Sequence, residues 1–384
     1  MAIDVEELLS RGVDKIYPSK EALKEVLDSG KKLKLYQGFD PTGDKLHIGH
    51  MVGLRKLADW QQAGHKVIFL IGDFTGMVGD PSGKTETRKM LSKEVVLENA
   101  QKYEEQAGRI LKFDGENPVE IKYNSEWLGK ISALEFIRIA GSLSVQQIVK
   151  RDLFQDRITL GQDLFMNEFL YPVMQAYDSV AMDVDLEIGG TDQMFNMLMG
   201  RKLARQALSK EKFVMTTPLL TDSSGKKIGK TEGNTIALDD KPDDLFGKIM
   251  ALPDEVIVKC FECLTRVPME EVRKIEQGIE SGVNPMQYKK SLALNIVSDL
   301  NNPLAAQAAR QNFEKAFSKG GIPDGIKTVA AQKDEPLAEI LLREGLVSSK
   351  TEFNRLQKDG AIEEMESGVY RVGKHRFLKI VRSG

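Results

Sequence analysis

The stretch that decides the fold runs from residue 32 to residue 73 and reads KLKLYQGFDPTGDKLHIGHMVGLRKLADWQQAGHKVIFLIGD. Its beginning, KLKLYQG, and its end, KVIFLIGD, are apolar runs of the kind that form β-strands. Between them, the turn GFDPTGDK leads into MVGLRKLADWQQAG, whose apolar residues recur with helical spacing. The order strand, helix, strand predicts neighbouring parallel strands joined by a crossover helix.

The same alternation continues to about residue 240, with further strand-like runs in VEIKYN and VDLEIGG. We therefore expect an α/β fold with a doubly wound parallel sheet that carries helices on both faces. From about 243 to 325 the spacing is helical throughout, which predicts an all-α domain. After GGIPDG, two helical segments and several short strands predict a small α+β module. The predicted domains are residues 1–240, 241–325 and 330–384.

Composition points to an ordinary soluble protein. The chain has 384 residues, 41% of them hydrophobic, and a net charge of −3, so it can build a large core in two or three domains. No apolar run reaches the length of a membrane span, and the segment MAIDVEELLSRG lacks a signal-like apolar core. We expect a cytoplasmic protein with neither membrane nor DNA as partner. Cys260 and Cys263 lie in an apolar helical segment and are predicted to be core residues.

Two of the chain's four histidines, His47 and His50, lie three positions apart in LHIGH. If the helix begins near Leu46, both rings lie on one face of its first turn. Unpaired N–H groups and the positive end of the helix dipole attract anions there and favour neutral imidazoles. Gly49 leaves room for a flat ring or a phosphate to approach the backbone. The pair predicts a phosphate-binding helix start; the alternative is two exposed capping histidines.

Two glycine-rich segments carry lysines but are not Walker A loops. In IGDFTGMVGDPSGKT the position of the first required glycine is Val78, and in SSGKKIGKTEGN the glycines at 225 and 229 are separated by three residues instead of four. The near misses indicate a triphosphate site served by lysines on glycine-hinged loops. For the second loop, the alternative is a solvated basic turn.

Together these motifs resemble a known family. HIGH at 47–50 and KIGKT at 227–231 resemble the two signatures of the class I aminoacyl-tRNA synthetases, the second of which is usually written KMSKS. The segments YQGFDPTGDKLHIGH, GDPSGK, QAYD, IGGTDQ and KIGKTEGN resemble the bacterial-type tyrosyl-tRNA synthetases in particular, and the similarity covers nearly the whole chain. The resemblance implies a Rossmann-like catalytic domain that activates tyrosine with ATP and transfers it to tRNA(Tyr).

The chemistry implied by the resemblance needs no general base, because a free α-carboxyl has a pKa of roughly 3.5 and attacks the α-phosphate already ionised. Alignment and stabilisation of charge on the phosphates remain as the tasks of the enzyme. The implied catalytic residues are His47, His50, Lys227, Lys230, Thr231, Lys84 and Arg88. We expect Mg²⁺ to accompany ATP and no tightly bound metal site in the protein, since the sequence has no carboxylate cluster of the required kind.

Selectivity for the amino acid is expected on one helix face. In FLYPVMQAYDSV, the spacing of Tyr171, Gln175 and Asp178 places their side chains on the same side. The resemblance assigns Tyr171 and Gln175, with Asp80, to the substrate ammonium, and Asp178 with Tyr36 to the phenolic hydroxyl. An amphipathic helix with polar caps is the alternative reading of the spacing.

For the nucleotide, the resemblance implies that Gly190 and Asp192 meet the ribose and that Gln193 lies near the reacting carboxyl. The residues assigned to ATP are Gly38, Asp40, Thr42, His47, Gly49, His50, Gly190, Asp192 and Lys230. The sequence departs from family patterns at Gln37, where some relatives have cysteine, and at Gly53, where others have a β-branched or polar residue. It also has Met194-Phe195 in place of a frequent Trp-Gly pair.

The C-terminal segment resembles the small RNA-binding module of bacterial tyrosyl enzymes. It carries a basic stripe, as phosphate contacts require; a solubilising basic tail is the alternative. The residues expected to contact tRNA are Arg355, Lys358, Arg371, Lys374, Arg376 and Lys379. Within an insertion at about 125–180, the apolar segment ALEFIRIAGSLSVQQIVKRDLF lies where the family builds a two-fold interface, and we expect a homodimer.

Three other functions compete with this one. A tryptophanyl-tRNA synthetase has a related architecture, but an indole ring needs a different pocket from the one that Tyr36 and Asp178 predict. A small-molecule nucleotidyltransferase of the HxGH type shares the first signature, yet needs neither KIGKT nor an RNA-binding module. A non-catalytic RNA-binding relative has no reason to keep both histidines and both loop lysines.

Overall fold

The computed structural model describes residues 4–80, 91–149, 152–231, 234–318, 326–332, 335–347, 349–366, 368–373 and 376–383. Three of the predicted site residues, Lys84, Arg88 and Lys374, lie outside these ranges, and the side chains of Lys230 and Thr231 are likewise outside the described part.

The centre of the fold is a six-stranded sheet with the order β1-β6-β5-β2-β3-β4. Its strands are β1 (Lys15–Tyr17), β2 (Lys34–Phe39), β3 (Lys66–Ile71), β4 (Glu120–Tyr123), β5 (Leu186–Gly190) and β6 (Phe213–Thr217). All neighbours pair in parallel except β1 with β6. The predicted α/β fold with a parallel sheet is therefore confirmed, with an antiparallel edge strand that the sequence analysis did not identify.

The chain runs from β2 to β3 on one side of the sheet and later returns to β5 on the other side of β2. This reversal leaves a crevice at the carboxyl ends of β2 and β5, which is where open α/β sheets bind ligands. Eleven α-helices are described up to residue 208. They are α1 (Val5–Leu8), α2 (Lys20–Asp28), α3 (Ile48–Gln62), α4 (Asp73–Val78), α5 (Lys93–Ala107), α6 (Ser125–Leu128), α7 (Ala133–Ala140), α8 (Val145–Val149), α9 (Asp152–Thr159), α10 (Met166–Ala181) and α11 (Met194–Leu208).

Helix α3 shows how the crossover is held. Its residues Leu54, Leu57 and Trp60 are fully buried, and they belong to the same apolar core as Phe69 of β3. Leu57 and Trp60 lie three residues apart, and Leu54 lies three before Leu57, so they form one apolar stripe facing the sheet. Because the stripe sets the rotation of the helix, it also sets the direction of the side chains at its start.

Two short antiparallel strands follow, β7 (Lys230–Thr231) and β8 (Asn234–Thr235). After them, the regular secondary structure of the described residues up to 318 is helical. They are α12 (Pro242–Met250), α13 (Ile257–Leu264), α14 (Met269–Glu280), α15 (Pro285–Leu300) and α16 (Pro303–Ser318). The apolar core of the sheet continues into them, since Leu238 and Phe246 belong to one cluster. Cys260 and Cys263 are buried free thiols in α13, as predicted, and burial raises the pKa of Cys263 to about 12.

The C-terminal segment has its own apolar core, which includes Ile340, Phe353 and Leu378. Its elements are β9 (Thr328–Gln332), α17 (Leu337–Arg343), α18 (Lys350–Lys358), β10 (Ile362–Glu366), β11 (Val369–Val372) and β12 (Arg376–Ser383), with the sheet order β10-β11-β12-β9. A small α+β module is therefore present here. Within the described ranges of the whole chain, no helix has both the length and the apolar character that crossing a membrane requires.

Candidate functional site

A cavity of about 530 Å³ opens at the carboxyl ends of β2 and β5. It is lined by most of the residues that the sequence analysis assigned to substrates, although they come from distant parts of the chain. The predicted residues in its wall are Tyr36, Gly38, Asp40, Thr42, His47, Gly49, His50, Asp80, Tyr171, Gln175, Asp178, Gly190, Asp192, Gln193 and Lys227. The two signature motifs therefore face one cavity and not two.

The histidines occupy the start of α3, which begins at Ile48, two residues after the expected start near Leu46. His47 is the residue that caps the helix: its Nδ1 accepts a hydrogen bond from the Gly49 N–H (3.1 Å), and the Nδ1 of His50 accepts one from the His47 N–H (3.1 Å). A ring nitrogen that accepts an N–H must be unprotonated, so each ring carries its proton on Nε2. The two rings are 3.9 Å apart between centroids. The backbone bonds thus select neutral imidazoles with Nε2–H donors.

The KIGKT loop packs directly on the same helix start. The Ile48 N–H donates to the Ile236 carbonyl (3.0 Å), and the Leu238 N–H donates to the Leu46 carbonyl (2.9 Å). Gly229 has a φ of +85°, and a Cβ atom there would lie 2.6 Å from Ile48 Cγ1. Only glycine allows the loop to approach α3 so closely. The described part of Lys230 and Thr231 is the backbone, which pairs with β8.

Lys227 forms an ion pair with Asp192 in the cavity wall (Nζ–Oδ2, 2.7 Å). The sequence analysis assigned the lysine to pyrophosphate and the aspartate to ribose, and the structure brings the two together. The lysine side chain is 49% exposed, so water competes for it and the pair is weak enough to exchange partners. The ion pair holds the loop over the cavity while leaving the lysine available to an anionic ligand.

Among the residues expected to bind the amino acid, Asp178 is buried and accepts hydrogen bonds from Trp127 Nε1 (2.7 Å) and Asn124 Nδ2 (3.3 Å). Burial raises the pKa of the Asp178 carboxyl well above its usual value, and the two donors oppose that shift. Tyr36 is also buried and shares a 2.9 Å hydrogen bond with Ser179, and burial raises the pKa of its phenol. A neutral phenol and a buried carboxyl group therefore line the same cavity.

The next part of the wall carries further carboxylates with defined donors. Tyr171 donates to Asp40 Oδ2 (2.8 Å), and Thr75 donates to Asp40 Oδ1 (2.8 Å). Gln193 donates through Nε2 to Asp80 Oδ2 (2.6 Å). Tyr171, expected near the substrate ammonium, is thus bonded to Asp40, expected near ATP, and Asp80 is bonded to Gln193, expected near the reacting carboxyl.

Comparison with known proteins gives the family. The model of "tRNA synthetases class I (W and Y)" matches residues 28–318. The chain belongs to the class I tRNA synthetases of the W and Y type. It is 41% identical to the tyrosine–tRNA ligase of Mannheimia succiniciproducens, covering 97% of this chain and 97% of that protein, and 41% identical to that of Haemophilus influenzae, covering 97% and 95%.

A similar fold is found in the crystal structure of a C-terminally truncated mitochondrial tyrosyl-tRNA synthetase from Coccidioides posadasii. The TM-score is 0.66 at 25% sequence identity, with 80% of this chain and 90% of the other covered. The resemblance stated from the motifs, and the Rossmann-like class I fold that it implied, are confirmed by these matches.

The structure adds synthetase residues that the sequence analysis missed. Trp127, Asn124 and Ser179 contact the pair expected to bind a phenol, and Glu187 and Lys212 form a buried ion pair behind it. Asn124, Ser179 and Glu187 lie in the runs VEIKYN, FLYPVMQAYDSV and VDLEIGG, but those patterns do not show which distant residue each side chain contacts. Sequence reasoning had no signal that could pair Lys212 with it.

Gln37 and Gly53, two of the departures from family patterns, pack directly against each other. The Gln37 amide lies over the Cα of Gly53, so that a Cβ atom at 53 would come within 2.2 Å of Gln37 Oε1. This oxygen is buried and, among the residues that the structure describes, has no hydrogen-bond partner. Both residues line the cavity. Gly53 lies one turn after His50 in α3, and Gln37 lies on β2. Glycine at 53 thus makes room for a longer polar side chain at 37.

The predicted basic stripe of the C-terminal module is divided in the structure. Side chains alternate along β12, so Arg376 lies on the face of Leu378 and Ile380, whereas Lys379 lies on the opposite face. Arg371 is ion-paired with Glu363, and Arg376 donates to the Leu346 carbonyl. The predicted basic residues therefore lie on two faces of the module, next to the acidic strand β10, and their contact with tRNA stays a prediction. Arg355 and Lys358 are exposed in the last turn of α18.

Replacing Gly229 with alanine is expected to slow amino-acid-dependent ATP–pyrophosphate exchange by roughly tenfold or more, because the new Cβ displaces the loop from Ile48 and strains the backbone. Steady-state exchange kinetics measure the change. Gly225→Ala is the matched control, since Gly225 also has a positive φ (+80°) but no atom within 4 Å of the added Cβ. Equal loss in both variants would contradict the role of the Ile48 contact.

Replacing Gly53 with alanine is expected to raise KM for ATP by roughly threefold to tenfold, because the Cβ forces the Gln37 amide away from α3. KM for the amino acid and the melting temperature should change little, since the end of a glutamine side chain can move. Gly247→Ala in α12, where the added Cβ meets no atom within 4 Å, serves as the control. An unchanged KM for ATP would exclude Gln37 from the nucleotide site.

Proposed function

We propose that the chain is a tyrosine–tRNA ligase, which forms tyrosyl adenylate and pyrophosphate from tyrosine and ATP and then transfers tyrosine to the 3′ end of tRNA(Tyr). The observation that carries the proposal is the single cavity. The two histidines and Lys227 line the same cavity as Tyr36 and Asp178. Relatives with this name match the chain over nearly their full length.

The first step joins a tyrosine carboxylate oxygen to the α-phosphorus of ATP and breaks the bond between that phosphorus and the oxygen bridging to the β-phosphate. The carboxylate is ionised at neutral pH, so no residue needs to remove a proton from it. The work of the site is to align the two substrates and to stabilise negative charge as pyrophosphate departs. A cavity that closes on both substrates meets this requirement.

Neutral imidazoles suit the charged end of the cavity. With Nδ1 occupied by the backbone, His47 and His50 donate through Nε2–H to phosphate oxygens. Lys227 leaves Asp192 for the departing pyrophosphate, which frees the carboxylate to accept a ribose hydroxyl. We assign Lys230, Thr231, Lys84 and Arg88 to the same pyrophosphate group on the strength of the motifs.

At the other end, Asp178 accepts the substrate phenol O–H and Tyr36 completes the contact to that hydroxyl. An amino acid without the hydroxyl would leave buried polar groups unpaired, which is costly; the discrimination of tyrosine from phenylalanine by tyrosyl-tRNA synthetase is the standard example. Tyr171, Gln175 and Asp80 receive the ammonium. Gln193 is assigned to the reacting carboxyl, and its hydrogen bond to Asp80 supports this assignment.

For ATP, we assign the ribose to Gly190 and Asp192. The phosphates are assigned to the turn and helix start formed by Gly38, Asp40, Thr42 and Gly49, which line the same cavity. Magnesium enters as the complex with ATP. Within the described residues, no cluster of three or more histidines, cysteines or carboxylates could hold a metal ion, so the ion's remaining ligands would be phosphate oxygens and water.

Tryptophan activation is the nearest alternative, and the surroundings of Asp178 and Tyr36 disfavour it. Both Asp178 oxygens already accept hydrogen bonds from Trp127 and Asn124, and Tyr36 faces the same space. A phenol can share this arrangement, because its oxygen both donates and accepts. An indole N–H can only donate and brings a second ring into the space.

The second substrate, tRNA(Tyr), is assigned to the C-terminal module and the helices before it. Arg355, Lys358 and Lys379 are exposed, so they are the stronger candidates for phosphate contacts. Arg371 and Arg376 would first have to exchange their bonds within the module, and Lys374 is retained from the motif alone. We also propose that the enzyme works in the cytoplasm with the other translation factors.

Exchange of labelled pyrophosphate into ATP, measured with each of the twenty amino acids, tests the function. We expect exchange with tyrosine and a preference over phenylalanine of at least a thousandfold in kcat/KM. Asp178→Asn should reduce kcat/KM for tyrosine by roughly tenfold to a hundredfold, because an amide accepts the phenol proton less well than a carboxylate. Exchange with tryptophan would select the alternative, and no exchange at all would refute amino-acid activation.

The segment 133–166 supports a homodimer. Its large apolar side chains are unusually exposed, with Ile137 at 65%, Leu160 at 68% and Met166 at 71%. Apolar patches of this kind on a soluble protein mark surfaces that bind another protein. A two-fold axis through the patch would bury the same residues on both copies. We therefore propose that two copies of the chain associate through this segment.

Light scattering after size exclusion should give twice the mass of one chain, independent of dilution into the micromolar range. Ile137→Glu should halve that mass, because it places a charge in the proposed interface. Leu304→Glu is the control: Leu304 is 83% exposed on α16, outside the segment. A wild-type protein with the mass of one chain would refute the dimer without affecting the activation chemistry.

A further inference from the structure

Behind the amino-acid end of the cavity lies a buried ion pair between Lys212 and Glu187, 0% and 2% exposed. Lys212 also donates to Ser179 Oγ (2.8 Å). Gly200 of α11 leaves the space that the group needs, since a Cβ atom there would lie 2.7 Å from the lysine Nζ. A glycine in mid-helix costs stability, so the helix gives up packing to admit the ion pair.

A buried ion pair is a poor way to stabilise a fold, because the desolvation of both charges offsets most of their attraction. Burial indeed lowers the pKa of Lys212 against the opposing effect of Glu187. What the pair touches is more informative. Glu187 lines the cavity, and its second oxygen, Oε1, accepts a hydrogen bond from Gln175 Nε2 (3.1 Å). The carboxylate therefore links the buried lysine to a side chain of the substrate site.

The Gln175 amide can face a carboxylate in only one way. Its Nε2 group is a donor and its Oε1 atom is an acceptor, so the nitrogen must point to Glu187 and the oxygen away from it. The Oε1 atom is buried and has no hydrogen-bond partner among the described residues, while Gln175 lines the cavity. An unpaired buried acceptor is costly unless a ligand completes it. A substrate ammonium supplies that donor.

We infer that Glu187 and Lys212 are positioning residues of the amino-acid site, which hold the Gln175 amide with its carbonyl oxygen toward the substrate ammonium. The inference rests on the proposed function, because it needs an amino acid as the ligand. Lys212 has a distinct task in it. The buried ammonium requires an acceptor, so it commits one Glu187 oxygen to itself and to Ser179 and leaves the other for Gln175.

Glu187→Gln tests this with the exchange of one atom. Lys212 would hold the new amide by its oxygen, which turns the amide nitrogen toward Gln175. Two donors cannot face each other, so Gln175 turns over and presents Nε2 to the substrate ammonium. We expect KM for tyrosine in pyrophosphate exchange to rise on the order of tenfold, with kcat changed by less than about twofold.

Lys212→Met in the Glu187→Gln background should reverse the defect. Without the ammonium, the amide at 187 can turn its oxygen to Gln175 and its nitrogen to Ser179 Oγ. KM for tyrosine should then return to within about threefold of the wild-type value. A structural role for the pair predicts the opposite, since removing its second member would damage the pocket further. Failure of the rescue in a folded double variant would overturn the inference.

A ligand without the ammonium separates orientation from general damage. As a competitive inhibitor, 3-(4-hydroxyphenyl)propionate should bind Glu187→Gln as well as it binds the wild type. An inhibition constant that rises together with KM for tyrosine would overturn the inference, because the loss would then not involve the ammonium. This comparison also suffices if the double variant does not fold.

Glu168→Gln is the matched control. Glu168 is equally buried (3%), is paired with the buried Arg157, and lies on α10 two turns before Gln175. The Glu168→Gln variant should have a lower melting temperature and an unchanged ratio of KM for tyrosine to the inhibition constant of 3-(4-hydroxyphenyl)propionate. A ratio that shifts as in Glu187→Gln would overturn the inference. Pyrophosphate exchange by the wild-type protein distinguishes failure of the proposed function from failure of the positioning role. If the wild type shows no tyrosine-dependent exchange, the proposed function fails; if it does and Glu187→Gln behaves like it, only the positioning role fails.

Discussion

The site depends on backbone hydrogen bonds that join the start of α3 to residues 236–238. Leu46 and Ile48 use their carbonyl and N–H groups to pair with Leu238 and Ile236, on either side of His47. A helix start has N–H groups that lack partners within the helix, and here the returning chain satisfies one of them. The loop that bears Lys227 leads into the segment attached at this point. The lysine and the histidines therefore face one cavity despite their separation along the chain.

The charge of the cavity explains why its carboxylates need so many donors. Asp40, Asp80, Asp178, Glu187 and Asp192 all line a space proposed to receive a triphosphate. Each has a donor or cation of its own: hydroxyls, amides, an indole and two lysines. These partners limit the repulsion of an anionic ligand, and they differ in burial. The buried pair of Glu187 is permanent, whereas the half-exposed pair of Asp192 can exchange when phosphate arrives.

Features that depend on the pattern of residues within a short segment could be predicted from the sequence. The sheet, α3 and the common face of Tyr171, Gln175 and Asp178 follow from periodicity within short segments, and the structure has them. Lys212 and Trp127 could not be predicted, because their contacts depend on the packing of segments far apart in sequence. The distribution of the basic residues over two faces of the C-terminal module was likewise not evident, because a run of basic residues does not show how a strand alternates its faces or that an acidic strand lies beside it.

The register of two strands links both ends of the amino-acid site. Tyr36 of β2 pairs with Glu187 of β5, so the phenol and the carboxylate project from neighbouring positions on the same face of the sheet. Helix α10 lies over that face and brings Gln175 to Glu187 and Ser179 to Tyr36. A slip of one residue would turn one side chain to the other face. The proposed recognition of the hydroxyl and of the ammonium therefore depends on a single strand pairing, and the Glu187–Lys212 ion pair reaches the proposed site through that pairing without contacting the substrate itself.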